Sequence, residues 1–255
     1  MTRIARFAMA ATAAFGLAAP LASVSAQSAA KPTVAILYFN NNVFTKDARD
    51  YDGLSKGVPD FLVTEMASNP NIRVIERDQV QKLVDEQKLV TGGQIDRETA
   101  VRVGKLLGAQ HMIFGGFMGD SRGNFRIDAR AVNVETGEIE HVERVDDKAD
   151  NIMVSVGTLA GKLNTGMKLP ARPASVRRVG DAAVTPAAMT TGAVQAGTPA
   201  PAPKLPMRVA VMYGKALDMK DHGNKAGAVE LFGAVLKEFP DYGPAKAEQA
   251  KLKGT

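Results

Sequence analysis

The chain has 255 residues, with 32 Lys and Arg against 27 Asp and Glu, and it contains neither cysteine nor tryptophan. The lack of cysteine excludes disulfides and a lipid attached through cysteine. A net formal charge of +5, without a basic face interleaved with aromatic residues, argues against a nucleic-acid-binding protein.

The first 26 residues have the pattern of a secretory signal peptide. Arg3 and Arg6 form a basic start, residues 7–21 are apolar and rich in Ala, and small residues precede an expected cleavage between Ala26 and Gln27. The apolar run is too short for a stable membrane span, and no run of 18 apolar residues follows it. We therefore expect export to the periplasm of a Gram-negative-type envelope, as a soluble protein or one peripheral to the outer membrane.

Three parts follow the predicted signal. Residues 31–169 are dense in apolar residues with clear periodicity, enough for one ordinary core. Residues 170–206 are rich in Pro, Ala, Thr and Gly, which predicts a flexible linker. Residues 207–253 become periodic again and predict two or three helices. Residues 31–169 carry 18 basic and 20 acidic residues and residues 170–255 carry 12 and 7, so the basic surplus lies in the tail.

The first half of the main domain alternates strands and helices. Residues 33–39 form an apolar run of strand-forming residues, typical of a buried strand. Apolar residues between positions 54 and 66 fall on one helical face, and Pro59 is tolerable there if it lies in the first turn. Residues 72–75 predict a short second strand.

Capping signals delimit two further helices. Asp78 is expected to cap the second helix of the main domain. Asp96 is expected to cap the third, and Gly108 to end it. Both helices therefore lie between the short second strand and the next apolar run.

The rest of the main domain is mostly β. Residues 111–117 predict a third strand, and residues 125–131 alternate between apolar and charged side chains, so that strand has one buried face. A turn at residues 135–137 leads into a strand at residues 138–145, and the apolar residues of segment 152–163 form a closing helix. The expected fold is an α/β sandwich with a mixed sheet covered by helices.

Three segments in this order resemble the CsgG family of curli production assembly and transport components. They are residues 75–89 (IERDQVQKLVDEQKL), residues 91–109 (TGGQIDRETAVRVGKLLGA) and residues 133–139 (NVETGEI). The family has an ER dipeptide after a strand, a helix ending in EQ-x-L, a glycine-containing break and a GKLLGA run into a strand. The likeness extends over roughly residues 32–169, and it is specific because several elements occur in order.

The resemblance implies a sandwich of the kind shared by CsgG and the amino-terminal domain of TolB. Regulators of peptidoglycan synthases have a related fold, so the fold alone does not fix the role. The pore subunits of the family are lipoproteins that insert two long membrane-crossing hairpins. Here residues 119–124 form only a short turn, and no long apolar pair lies between residues 145 and 151. The resemblance therefore implies a periplasmic assembly or adaptor domain and not a pore.

No catalytic or cofactor site is expected. Residues 53–57 match the G-x-S-x-G nucleophile elbow, but the preceding stretch is polar and loop-like, so we interpret Ser55 as an accidental match. His111, His141 and His222 lack the spacing of metal ligands. We expect a non-enzyme without cofactors.

Two regions are candidates for protein contacts. Phe44 and Tyr51 lie in a polar loop, where they form either an exposed contact or local packing. Residues 207–244 resemble one degenerate tetratricopeptide repeat. Its stripe of Tyr213, Leu217 and Lys220 either docks on a partner or a second copy of the chain, or packs back on the main domain.

The main domain and the helical segment are each expected to have their own core. Proteolysis within residues 170–206 should then leave residues 31–169 with unchanged melting. The leading hypothesis is a non-catalytic periplasmic component that assembles or secretes curli-like or other surface structures. The alternative is an activator or regulator of a peptidoglycan synthase, and a serine hydrolase using Ser55 is a distant third. The expected partners are envelope proteins or further copies of this chain.

Overall fold

The computed structural model describes residues 30–46, 48–89, 95–173 and 205–254. The predicted signal peptide, with its cleavage at Ala26 and Gln27, lies outside the described residues. Most of the predicted linker at residues 170–206 does so too.

Five strands and seven α-helices make up the described part of the chain. The strands are β1 (Thr33–Asn41), β2 (Arg73–Val74), β3 (His111–Gly119), β4 (Asn124–Asn133) and β5 (Ile139–Lys148). The helices are α1 (Leu54–Ala67), α2 (Arg77–Gln87), α3 (Arg97–Leu107), α4 (Ile152–Gly166), α5 (Met207–Asp221), α6 (Lys225–Glu238) and α7 (Gly243–Lys253). None of these helices combines the length and the apolar character needed to cross a membrane.

The strands form one mixed sheet in the order β2-β1-β3-β4-β5. β1 pairs in parallel with both β2 and β3, whereas β3, β4 and β5 form an antiparallel meander. The turn between β3 and β4 is short, as expected. The predicted fold class, a mixed sheet covered by helices, is confirmed.

Both faces of β1 are buried, which explains its continuous apolar run. Val34 and Ile36 face one core together with residues of α1 and α4. Ala35 and Leu37 face a second core formed with α2 and α3. Because side chains alternate along a strand, both layers of helices are needed to cover it.

The predicted ends of α3 are confirmed. The Asp96 side chain accepts a hydrogen bond from the backbone N–H of Thr99 at 2.8 Å. Gly108 ends the helix in the left-handed region, with φ of +65°. Both residues satisfy backbone groups that the helix itself leaves unpaired.

The prediction that Asp78 caps α2 was wrong, and the first-turn condition stated for Pro59 is not met. α2 begins at Arg77 with Glu76 as its N-cap, so Asp78 lies inside the first turn and does not cap the helix. Its carboxylate accepts hydrogen bonds from Lys220 instead. Pro59 lies in the second turn of α1, not the first.

The C-terminal helices do not form a separate domain. α5 packs along α1, and its buried residues belong to the same core as one face of the sheet. The described residues from position 31 onward form one compact unit. The expectation of two independent cores was therefore wrong, because α1 buries apolar residues against both the sheet and α5.

Candidate functional site

A groove of about 810 Å³ lies where β3 turns into β4. The loop after β1 forms one wall through Phe44, and Met118 of β3 lies beside it. Arg126 of β4 and Asp146 of β5 also line it, and the register pairs them across the two strands. The groove thus combines apolar and charged side chains.

Phe44 has the most exposed large apolar side chain in the described ranges, at 87%. The loop that carries it is anchored directly before Phe44. The Asn42 N–H donates to the Phe117 carbonyl at 2.8 Å, and the Val43 N–H donates to Asn41 Oδ1 at 3.1 Å. Val43 itself is buried. Phe44 is therefore held outward by an ordered backbone, and covering it would contribute about 1.5–3 kcal/mol.

The charged groups at the rim are already engaged with neighbours. Asp120 accepts hydrogen bonds from the side chain and the backbone of Asn124, which lower the pKa of its carboxyl. Asp128 accepts a hydrogen bond from Arg126, which raises the pKa of that guanidinium. Lys148 donates to Asn124 Oδ1 at 2.7 Å. The polar groups of the rim thus already have partners within the chain. The exposed ring of Phe44 is the side chain that a partner could still cover.

Tyr51 does not share this exposure. Its side chain is half-buried and packs against the core beside α1. Of the two loop aromatics, only Phe44 is available as a contact, and the interpretation of Tyr51 as local packing holds.

Tyr213 and Leu217 are in the core and cannot contact a partner. Tyr213 is 1% exposed and Leu217 is fully buried. The Tyr213 ring stacks on Phe61 of α1 with 5.5 Å between centroids, and its hydroxyl donates to Asp60 Oδ2 at 2.7 Å. The docking hypothesis for this stripe is therefore wrong, and the alternative of packing back on the main domain is correct.

Lys220 is also an intramolecular contact. Its side chain is only 14% exposed. It donates to the Asp78 carboxylate of α2 at 2.9 Å and to Glu248 of α7 at 2.6 Å. The residue links three helices of this chain and is not a free interface cation.

Next to this contact lies a buried ion network that the sequence patterns did not reveal. Arg77 donates to both carboxylate oxygens of Asp221, at 2.7 and 3.0 Å. The two side chains are 3% and 4% exposed. Burial alone would lower the pKa of Arg77, but the hydrogen bonds and charge of Asp221 outweigh it and keep the guanidinium charged. Arg77 is the start of α2 and Asp221 the end of α5, so this pair fixes the two helices together.

Glycines allow α1 and α5 to approach closely. A Cβ on Gly214 would lie 1.8 Å from the Gly53 carbonyl oxygen, and a Cβ on Gly53 would lie 2.4 Å from the Val211 oxygen. Residues 53–57, which resemble a nucleophile elbow, therefore have a packing role. The four-residue spacing of Gly53 and Gly57, together with a glycine inside α5, was the signal in the sequence for this contact.

Ser55 lies in the first turn of α1, and a 3-10 turn separates it from β1. This arrangement is not the strand-to-helix turn that a nucleophile elbow requires. Among the described residues, no hydrogen bond joins its hydroxyl to a histidine. The described residues also contain no cluster of three His, Cys, Asp or Glu side chains suited to a metal ion.

A family model described as "Curli production assembly/transport component CsgG" matches residues 20–119. The resemblance inferred from the sequence is confirmed over that segment, which extends through β1, α1, β2, α2, α3 and β3. The match fits a protein of the cell envelope. A comparison with curated proteins found no match.

Several solved structures are similar to this chain at low identity. The LpoB C-terminal domain from Escherichia coli is 15% identical, over 46% of this chain and 82% of that chain, with a TM-score of 0.36. TolB from Acinetobacter baumannii is 12% identical, over 54% of this chain and 28% of that chain, with a TM-score of 0.37. The PelC dodecamer from Paraburkholderia phytofirmans is 9% identical, over 55% of this chain and 90% of that chain, with a TM-score of 0.35.

Proposed function

We propose that this protein is a non-catalytic, periplasmic protein-binding component that helps to assemble or secrete curli-like or other surface structures, without itself forming a pore. The match of residues 20–119 to a curli assembly and transport family supports the process. The outward-held Phe44 beside its groove supports a binding role and is the observation that carries the proposal.

The binding site is the groove at the β3–β4 turn. Exposed aromatic side chains are frequent anchors of protein interfaces, because they bury a large apolar area at little cost in side-chain entropy. The fixed loop around Phe44 reduces that cost further, since the backbone does not have to be ordered on binding. A partner with an apolar side chain beside polar groups would match this mixed lining.

A site-specific photo-crosslinker at position 44, used in intact cells, tests this proposal. We expect the probe to capture a component of a surface-structure assembly or secretion system. The matched control is the same probe at Thr64, an exposed position of α1 away from the groove. Capture of a peptidoglycan synthase would instead support the alternative regulatory role. Equal crosslinking from positions 44 and 64 would refute the groove as the site.

Export is a separate part of the proposal, because it rests on residues 1–26. We expect the mature protein to begin at Gln27 and to be recovered from the periplasmic fraction. Amino-terminal sequencing of fractionated cells measures this directly. Recovery of the intact chain from Met1 in the cytoplasm would contradict it without affecting the groove.

A further inference from the structure

A second cavity, of about 610 Å³, lies at the carboxyl end of β1. From β1 the chain passes through α1 on one face of the sheet to reach β2. From β2 it passes through α2 and α3 on the other face to reach β3. The helical connections therefore change sides at β1, which lies between two parallel neighbours. In open α/β sheets, ligands bind in the crevice at such a switch point.

Parts of the chain far apart in sequence build the walls of this cavity. Its volume lies in the range of small-molecule sites. Lys56 of α1, Gln81 of α2 and His222, which follows α5, all line it. His222 is the contribution of the C-terminal segment to this lining, and the other lining residues lie between Tyr38 and Lys88.

A fixed hydrogen-bond network forms the floor of the cavity. The Tyr38 hydroxyl donates to Gln81 Oε1, and Lys56 Nζ donates to the same oxygen at 2.5 Å. Lys56 Nζ also lies 3.5 Å from the centre of the Tyr38 ring and 3.6 Å from Asp221 Oδ2. Burial lowers the pKa of Lys56. These contacts position the polar atoms before any ligand arrives, which reduces the cost of binding.

The charges of the wall are balanced. Asp52 accepts a hydrogen bond from Asn41 Nδ2 at 2.7 Å, and both oxygens of Asp85 accept from Gln81 Nε2. Lys56 and Lys88 offset these two carboxylates. A ligand with a net charge would meet like charge as well as opposite charge in this cavity, so the wall favours neither anions nor cations.

We infer that this cavity binds an uncharged, hydroxyl-rich ligand of the saccharide class. A sugar hydroxyl both donates and accepts hydrogen bonds, so it suits a wall in which carboxylates, amides, hydroxyls and amines alternate. The amides and carboxylates of Asn40, Asn41 and Asp52 lie at one end, with Ser55 beside them. This ligand site is distinct from the Phe44 groove, which lies at the β3–β4 turn.

Titration of the full-length protein with cellotriose and chitotriose, followed by amide chemical shifts in NMR, tests the inference. We expect both neutral trisaccharides to shift signals of residues around the cavity. Glucuronate and glucosamine serve as anionic and cationic probes, and both should bind more weakly than glucose, the neutral monosaccharide of the same size. Ser55→Phe places a large ring in the cavity and should weaken binding about tenfold or more. Thr64→Phe, exposed on the same helix, should bind like the unmodified protein.

Asp85→Asn provides a second variant, since Asp85 is exposed and its change leaves the core intact. It should weaken trisaccharide binding severalfold, because one acceptor oxygen of the carboxylate is replaced by an NH2 donor. This test does not depend on whether Ser55→Phe folds. The inference is refuted if neither trisaccharide shifts these signals, or if a charged monosaccharide binds more tightly than glucose. It is also refuted if Asp85→Asn binds the trisaccharides with unchanged affinity. None of these outcomes affects partner capture by the crosslinker at position 44. Failure of the ligand-site inference can therefore be distinguished from failure of the proposed function.

Discussion

The α5 stripe and the β1–α1 loop both contain aromatic residues that were candidate contacts, but their exposure in the fold is opposite. On α5, Tyr213 and Leu217 are buried against α1. In the loop, Phe44 remains 87% exposed. A helical stripe can be covered by a neighbouring helix of its own chain. In the loop, Val43 and Tyr51 pack toward the core, and Phe44 is the aromatic side chain that remains outside it.

The two regions also differ in how polar groups are used. The contact between α2 and α5 encloses Arg77 and Asp221 as a two-pronged ion pair with almost no exposure. The groove beside Phe44 keeps its ion pairs at the solvent edge, such as that of Arg126 with Asp128. A buried ion pair favours a single arrangement of its two helices, because breaking the pair leaves a desolvated charge without a counter-ion. Exposed pairs of the second kind contribute little to stability.

The largest expected effect comes from removing the aromatic and aliphatic core of the α1–α5 contact. Tyr213→Ala with Leu217→Ala should lower the free energy of unfolding by about 5 kcal/mol or more, since each truncation leaves a cavity. Urea denaturation of the full chain should show one transition at lower urea. Leu106→Ala, at an exposed leucine of α3, is the control and should change stability by less than about 0.5 kcal/mol. If the urea unfolding transition of residues 31–169 stayed unchanged, the two segments would have independent cores after all.

A somewhat smaller effect is expected from the ion network. Arg77→Ala should cost about 3–5 kcal/mol, because Asp221 stays buried without its two-pronged partner and keeps only the weaker contact with Lys56 at 3.6 Å. Arg97→Ala is a matched control, since Arg97 also begins a helix but is exposed. Chemical unfolding of the two variants measures the difference. A loss below about 1 kcal/mol for Arg77→Ala would show that the pair does not hold α2 and α5 together.

The pH dependence of stability provides a further test, because the pKa values of Asp60 and Asp78 are shifted in opposite directions. Burial raises the pKa of Asp60 despite the hydrogen bond from Tyr213. For Asp78, burial is outweighed by the hydrogen bond from Lys220 and the charge of Arg77, so its pKa lies below the ordinary value. The folded state thus binds a proton at Asp60 more readily than the unfolded chain does, and at Asp78 less readily.

As pH falls from neutral through the raised pKa of Asp60, this residue should make the fold more stable. Below the ordinary aspartate range, near pH 4, the contribution of Asp78 should be lost as pH falls through its lowered pKa. The free energy of unfolding, measured with urea at a series of pH values, should therefore gain the Asp60 contribution as pH falls through its raised pKa and lose the Asp78 contribution at lower pH. Asp60→Asn should remove the Asp60 contribution while the loss at lower pH remains. A profile identical to that of the unmodified protein would show that Asp60 does not titrate as proposed.

The smallest effect on stability is expected at the groove. Phe44→Ala should change the free energy of unfolding by no more than about 0.5 kcal/mol, because the ring contacts mainly solvent. Partner capture in a pull-down should nevertheless fall, while Phe44→Leu should retain part of it. A strongly destabilised Phe44→Ala would mean that the ring belongs to the fold, and the contrast with α5 would disappear.

The sequence by itself determined the elements and the class of fold. The continuous apolar run at residues 33–39 predicted the buried strand, and the alternation at residues 125–131 predicted the half-buried one. Asp96 and Gly108 predicted the ends of α3. These features are readable because they depend on neighbours within a few residues. The exposure of Phe44 was one of two local alternatives, since a loop pattern does not state what covers it.

Only the tertiary structure decided where the C-terminal helices lie. Arg77 and Asp221 are 144 positions apart, and neither differs locally from a solvated charge on a helix. The apolar stripe of Tyr213 and Leu217 satisfies its need for burial equally well against a partner or against α1. The close approach permitted by Gly53 and Gly214 selects α1, because a short distance between two backbones is a property of the packed pair and not of either sequence segment.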